Sequence, residues 1–272
     1  MSNRIVHGLD ADTYHAGPEV SNSGLGLLAR SPWHWWSWHR APHRPPSPQR
    51  AGQLEGTLLH CAVLEPDEFD RRYVVGPDAT RSTKVWKDFA ALHPDRLAIK
   101  PDEAAAAKCQ AISVRALPDV AALLSRGHSE VSAYWTDPET GVACRCRPDW
   151  VHPVDDKRVI LLDCKTYSDA SKPEFSRQIA RKGYARQDAF YSDGYAQAAG
   201  VEVIGFVFVA VETEWPYAAA AYMLDDESRG HGRAEYRRLV DVYAECDRTA
   251  TWPAYSPSIE PISLPAWALK EM

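Results

Sequence analysis

Long hydrophobic runs are missing from this 272-residue chain. The longest apolar stretches, such as Val203 to Val211, fall far short of the roughly 20 residues that span a bilayer, which excludes a membrane-crossing helix. The first ten residues, MSNRIVHGLD, lack the apolar core of a secretory signal, so a cytoplasmic protein is expected. Cysteine is sparse and scattered: six residues (61, 109, 144, 146, 164, 246) form no paired framework, which argues for reduced thiols. Cys144 and Cys146 form a C-x-C, but no second pair completes a zinc or iron–sulfur site. H-E-x-x-H is absent too, which disfavours a zinc hydrolase. Acidic residues are absent between Glu19 and Glu55, where Arg30, Arg40, Arg44 and Arg50 lie among several histidines. No repeat and no extended low-complexity tract interrupts the chain.

What is present is an ordinary globular composition, 45% hydrophobic and 25% charged, with an unusual ten tryptophans. The net charge of -6 argues against a protein that coats nucleic acid, because such binding rests on neutralising phosphates. Distribution matters more than the total. A second basic segment runs through Lys172, Arg177, Arg181, Lys182 and Arg186, opposed only by Glu174. Two basic segments on an acidic protein suit a polyanion held in one groove, although a solvated helix face explains the charges equally well.

The pattern of periods predicts one α/β domain over residues 1–272, with a mixed central sheet flanked by helices. Residues 1–128 read as mainly helical: a helix capped at Ser21-Asn22-Ser23 and ended at Pro32, a Trp/His segment (WHWWSWHR), a proline-broken loop, then helices over Gln53–Leu64, Lys84–Leu92 and Glu103–Leu124. Residues 129–225 carry the sheet. Glu130–Trp135 and Val142–Val151 alternate around the turn D-P-E-T-G as a β-hairpin, and VILLD at Val159–Asp163 reads as a strand buried on both faces. A long helix over Pro173–Ala199 follows, then strands near Ile204–Val211 and Ala218–Leu224. Residues 226–272 supply a helix over Glu227–Cys246 and an extended proline-rich arm.

The chemistry concentrates in Arg147-Pro148-Asp149, on the second hairpin strand, and Asp163-Cys164-Lys165, at the end of the buried strand. Two carboxylates on neighbouring strands can share a hard divalent cation, with the Cys164 carbonyl as a further oxygen. Lys165, on the same strand face as Asp163, is then placed to orient or deprotonate a water and to offset charge on phosphorus. D-x-K alone is common and equally describes a same-face ion pair; the preceding RPDW makes the arrangement specific. His60, in the otherwise apolar GTLLH, is a candidate third side chain. Gln187 and Tyr191 stand at i, i+4 on one helix face, with Tyr184 and Tyr195 on the same stripe, a pattern that core packing also produces.

Taken in order, G-x-x-x-H (Gly56 to His60), RPD (Asp149), D-x-K (Asp163, Lys165) and Q-x-x-x-Y (Gln187, Tyr191) resemble the RecB-like branch of the PD-(D/E)xK nucleases. YHAGPEVSNSGLGLLARSPWHWW and GTLLHCAVLEPDEF narrow the resemblance to the phage and prophage exodeoxyribonuclease VIII (RecE-type) nuclease domain, over about Tyr14 to Tyr195. The resemblance implies a Mg²⁺-dependent exonuclease, with Mn²⁺ as substitute. It would digest linear double-stranded DNA 5′ to 3′ and leave 3′ tails for a single-strand annealing protein. It further implies a homotetrameric ring, a stand-alone nuclease domain, metal ligation by His60, Asp149, Asp163 and the Cys164 carbonyl, catalysis by Lys165, and Gln187 and Tyr191 beside the site. Glu130 falls where related enzymes carry an acidic residue and is assigned a supporting role outside the ligand set.

Arg177, Arg181, Lys182 and Arg186 are expected to track DNA phosphates, and Ser21, Ser23 and Arg30 to hold a terminal phosphate. The Trp/His segment could stack on a terminal base pair, but an aromatic core or interface cluster is the simpler reading. An endonuclease, a single-strand-specific nuclease resembling the Cas4 branch, and a catalytically silent DNA-binding protein are the alternatives. The missing four-cysteine cluster speaks against the Cas4 branch, and retention of all four site residues against a silent protein.

Overall fold

The computed structural model describes residues 3–45 and 52–265, and none of its helices is long and apolar enough to cross a membrane. The N-terminal part contains β1 (Arg4–Val6), α1 (Ala11–Ala16), α2 (Asn22–Arg30) and α3 (Pro32–His39), then α4 (Gln53–Leu64), α5 (Pro66–Arg72), β2 (Tyr73–Val75), α6 (Lys84–Ala91), β3 (Leu97–Ile99), α7 (Pro101–Arg115) and α8 (Pro118–Leu124). The second half follows as β4 (His128–Ser129), β5 (Ser132–Thr136), β6 (Ala143–Cys146), β7 (Trp150–Pro153), β8 (Arg158–Tyr167), α9 (Lys172–Lys182), α10 (Tyr184–Ala199), β9 (Glu202–Glu212), β10 (Ala219–Tyr222) and α11 (Asp226–Thr249).

A five-stranded mixed sheet, in the order β10-β9-β8-β7-β4, forms the centre. Only β8 and β9 pair in parallel within it, joined by the α9–α10 crossover. Both central strands are covered on both faces, which explains their unbroken apolar runs. Leu161, Phe206 and Phe208 pack among α10 and α11 on one side; Leu162, Cys164, Val207 and Val209 pack among α4 and α7 on the other. A three-stranded sheet, β1-β5-β6, packs on α10, and β2 and β3 form a small parallel pair. The mixed sheet flanked by helices is the architecture expected.

Local breaks differ from expectation for identifiable reasons. The second hairpin strand is two strands: β6 pairs with β5, whereas β7 pairs with β8 in the other sheet. Pro148 lies in the break and has no amide hydrogen to continue a ladder. Asp149 therefore sits in the connection between sheets rather than on a hairpin strand. Glu130 lies between β4 and β5, not within a strand, with φ 51. Strand β8 runs on to Tyr167 because β9 pairs along its length, so Asp163 and Lys165 are inside the strand rather than at its end. The long helix is interrupted at Gly183 (φ 68), which ends α9 and starts α10, and the Ala-rich helix breaks before Pro118.

The Trp/His segment is the helix α3, with Ser31 capping it through the His34 amide. Trp35 is buried, stacked on His39 and on Trp252 of the C-terminal tail, and edge-on to Tyr243. The aromatic cluster thus serves intramolecular packing at Trp35. Residues 250–265 contain no helix or strand; Arg50 lies outside the described residues.

Candidate metal centre

The site forms where the chain passes between the two sheets. The Glu130 amide donates to the Asp149 carbonyl at 2.9 Å, so these two residues face each other across the switch point. Glu130 accepts a left-handed backbone there, a conformation that costs about 1 kcal/mol for a residue with a Cβ. From the opposite layer, α4 brings in His60. Its Nε2 lies 3.3 Å from Asp149 Oδ2 and donates to the Cys164 carbonyl at 3.2 Å, while its Nδ1 lies 3.6 Å from Glu130 Oε1. Asp149 Oδ2 also accepts the Cys164 amide at 2.7 Å, which locks the carboxylate against β8.

One ligand atom each from His60, Glu130 and Asp149 lies within 4.8 Å of the others, a spacing that suits a shared cation. The donor set, two carboxylates and an imidazole beside a peptide carbonyl, fits a hard or borderline divalent metal. Electrostatics agree. Burial, then the neighbouring Asp163, pushes the Asp149 carboxyl up to about 7, against the opposing pull of His60. Burial opposes a charge on His60, yet Asp149 and Glu130 outweigh it and raise the imidazole to about 9. For Glu130, burial is outweighed by His60 and Arg147, and its carboxyl is held below the usual range. The carboxylates are offset here by His60, Arg147 and Lys165, and a divalent ion would take over part of that role.

Asp163 and Lys165 project from β8 toward α10. The Gln187 amide nitrogen donates to Asp163 Oδ1 at 2.6 Å, and the Lys165 ammonium pairs with Oδ2. Lys165 Nζ also lies 5.0 Å from the centre of the Tyr184 ring, a cation–π contact. Burial works against the Lys165 charge, but Asp163 and Asp149 raise its pKa above the ordinary value. Tyr191 lines the cleft with His60, Glu130, Arg147 and Asp149; the cleft holds about 770 Å³. Burial pushes the Tyr191 phenol well up.

The structure therefore brings together His60, Glu130, Asp149, the Cys164 carbonyl, Asp163, Lys165, Gln187 and Tyr191. Glu130, assigned a supporting role, joins His60 and Asp149 in the ligand cluster. Asp163, expected as a ligand, is engaged by Gln187 and Lys165. The signal for Glu130 in the sequence was only an acid at the head of an alternating stretch; the positive φ and the sheet switch that aim it are not legible there.

The expected DNA contacts separate. Arg177, Arg181 and Lys182 are exposed on α9, with Arg177 paired to Glu174. Arg186 is buried, bonded to Asn22 and Glu235, so it serves the packing of α10 rather than a DNA backbone. Ser21 caps α2 and bonds Ser23, whereas Arg30 ends the same nine-residue helix beside Tyr255, about 13 Å along the axis. One terminal phosphate cannot bridge that separation, so those three residues are not a single phosphate site.

A mixed sheet with helices on both faces, carrying an acid at a sheet junction and D-x-K on the neighbouring central strand, defines the PD-(D/E)xK class. The chain belongs to the family of PDDEXK-like domains of unknown function DUF3799, which matches residues 30–265. No curated protein matches it. Among solved structures it is similar to a protein of Eubacterium rectale provisionally described as an exonuclease, with a TM-score of 0.57 and 12% identity over 98% of this chain and 99% of that one. An alkaline exonuclease (LHK-Exo) from Laribacter hongkongensis overlaps at TM-score 0.24 and 13% identity, over 71% of this chain and 96% of that one, too loosely to carry an argument.

Proposed function

We propose that this protein is a metal-dependent exodeoxyribonuclease that hydrolyses phosphodiester bonds of linear double-stranded DNA. The observation that carries the reading is the His60–Glu130–Asp149 cluster lining the cleft, with the Asp163–Lys165 pair beside it on β8, whose Cys164 amide holds Asp149. Three acids crowded at a sheet junction with His60, Arg147 and Lys165 gather more perturbed titratable groups than packing of these elements needs, the mark of a functional site. His60, Glu130, Asp149 and the Cys164 carbonyl would hold Mg²⁺, or Mn²⁺ in its place. Such an ion supplies a water acidified toward neutral pH and a positive charge beside the phosphate. Lys165, kept charged by Asp163 and Asp149, donates hydrogen bonds to the phosphate and offsets its growing charge rather than taking a proton. Gln187 fixes the rotamer of Asp163, and Tyr191 closes the cleft wall. No side chain needs to become covalently attached, since in-line attack by water suffices.

The finer reading follows the family resemblance: 5′-to-3′ polarity, 3′ single-stranded tails handed to an annealing protein, and a tetrameric ring around the duplex. Arg177, Arg181 and Lys182 are its phosphate-tracking residues. End-labelled linear duplexes incubated with Mg²⁺ should lose nucleotides progressively from the 5′ side, stop on addition of EDTA, and leave covalently closed circles intact. Cleavage of closed circles at a comparable rate would replace the exonuclease with an endonuclease, and inert linear DNA would leave only a binding protein.

A further inference from the structure

Arg147 sits in the cleft with half of its guanidinium engaged and half available. Its Nε lies 2.6 Å from Glu130 Oε2, and its carbon lies 5.4 Å from the centre of the buried Tyr14 ring. Tyr14 is itself held by Arg145, which contacts the same ring at 4.8 Å and donates to the Tyr14 and His15 carbonyls. The side chain is 13% exposed, so its position is set by the protein rather than by solvent. Its two terminal nitrogens make no hydrogen bond among the described residues and keep access to solvent. Two other arginines nearby are committed elsewhere: Arg72 to Glu65, and Arg145 to the two carbonyls and Glu19.

A guanidinium propped by an aromatic ring and one carboxylate, with its fork left open, matches the bidentate geometry of a phosphate. A counter-charge for Glu130 alone would not need that fork free. We infer that Arg147 binds a phosphate of the substrate strand next to the one cleaved, through its terminal nitrogens. Its Nε contact with Glu130 puts it one residue away from the His60–Glu130–Asp149 cluster, so the phosphate it takes neighbours the scissile one. This inference rests on the nuclease reading above and names a substrate contact for that site.

The test is a double-mutant cycle on binding, with Ca²⁺ replacing Mg²⁺ and turnover checked to be absent. Duplexes carry a neutral methylphosphonate at one of the first few phosphates of either strand end. Arg147→Met should weaken binding of the unmodified duplex roughly tenfold, as expected for a charged hydrogen bond. At one methylphosphonate position the wild-type protein should lose about as much, and the variant nothing further. Arg147→Lys, which keeps the charge without the fork, should recover part of the loss and supplies the comparison if Arg147→Met fails to fold. Mn²⁺ affinity measured by calorimetry without DNA should not fall, because the substitution removes a cation that competes for Glu130. Additive losses at every position, or a Mn²⁺ affinity that falls with Arg147→Met while DNA binding does not, would reduce Arg147 to a positioning residue for Glu130. Failure of the wild-type protein to bind any duplex would instead overturn the nuclease reading itself.

Discussion

Asp163 is nearly fully buried and has its two oxygens divided between an amide and an ammonium. Gln187 is the more informative partner, because it touches the carboxylate without belonging to the metal cluster. Gln187→Ala removes a donor from a buried acceptor and should cost about 1–3 kcal/mol of stability, read as a lower melting temperature. It should also slow cleavage roughly 10- to 100-fold, the range for a residue that orients a group of the site, here the Asp163 that holds Lys165, as initial rates on linear duplex would show. Unchanged rates with a lowered melting temperature would confine Gln187 to packing. His60, Asp163, Lys165 and Gln187 are legible because each sits in a short motif on a strand or helix, and Asp149 because R-P-D precedes D-x-K at close spacing, although it lies between strands. Glu130 and Arg147 act through a fold-dependent contact, and no spacing in the sequence announces it. Arg186 misled for the opposite reason: a basic run says nothing of which member turns inward.

Among the elements, the hairpin that delivers the site depends on its distal turn. Asp137 accepts from the Thr140 amide at 3.0 Å and is gripped by both terminal nitrogens of Arg237 on α11. Burial opposes the Asp137 charge, but Arg237 and Thr140 outweigh it and hold its carboxyl below the usual 3.8. A depressed folded-state pKa contributes stability that is present above the unfolded value and is lost as pH falls through the folded one. Arg237→Ala strands a buried carboxylate and should lower stability by about 2–4 kcal/mol at pH 7. The gap to wild type should be full at neutral pH and close as pH falls through the raised carboxyl pKa of the variant and then the depressed one of the wild type, as chemical denaturation at a series of pH values would show. A gap independent of pH would mean that lost packing of the arginine stem, not its charge, is responsible. Helix α4 and strand β9 could be read from periodicity almost to their ends, since their apolar faces are continuous. The breaks at Pro148 and Gly183 were harder to place, because alternation continues across the first and helical spacing across the second while the partner layer changes.

Across the whole molecule, the candidate metal ligands come from three independent parts: a helix of the N-terminal layer, the junction of two sheets, and the central strand. Divalent metal should therefore raise the melting temperature as well as support cleavage, the shift growing with the logarithm of its concentration once that exceeds the dissociation constant. Mn²⁺ should shift the wild-type melt upward by several degrees at saturation and leave Asp149→Ala unmoved; equal shifts in both would place the ion elsewhere. The geometry at Glu130 and Asp149 has a mechanical consequence. An ion bridging them to His60 closes a large loop of the chain, as a removable cross-link would, and joins the N-terminal helical layer to both sheets. Chelation would then do more than stop hydrolysis: it would free the two layers to part along the cleft, exposing α4 to proteases that the loaded protein resists.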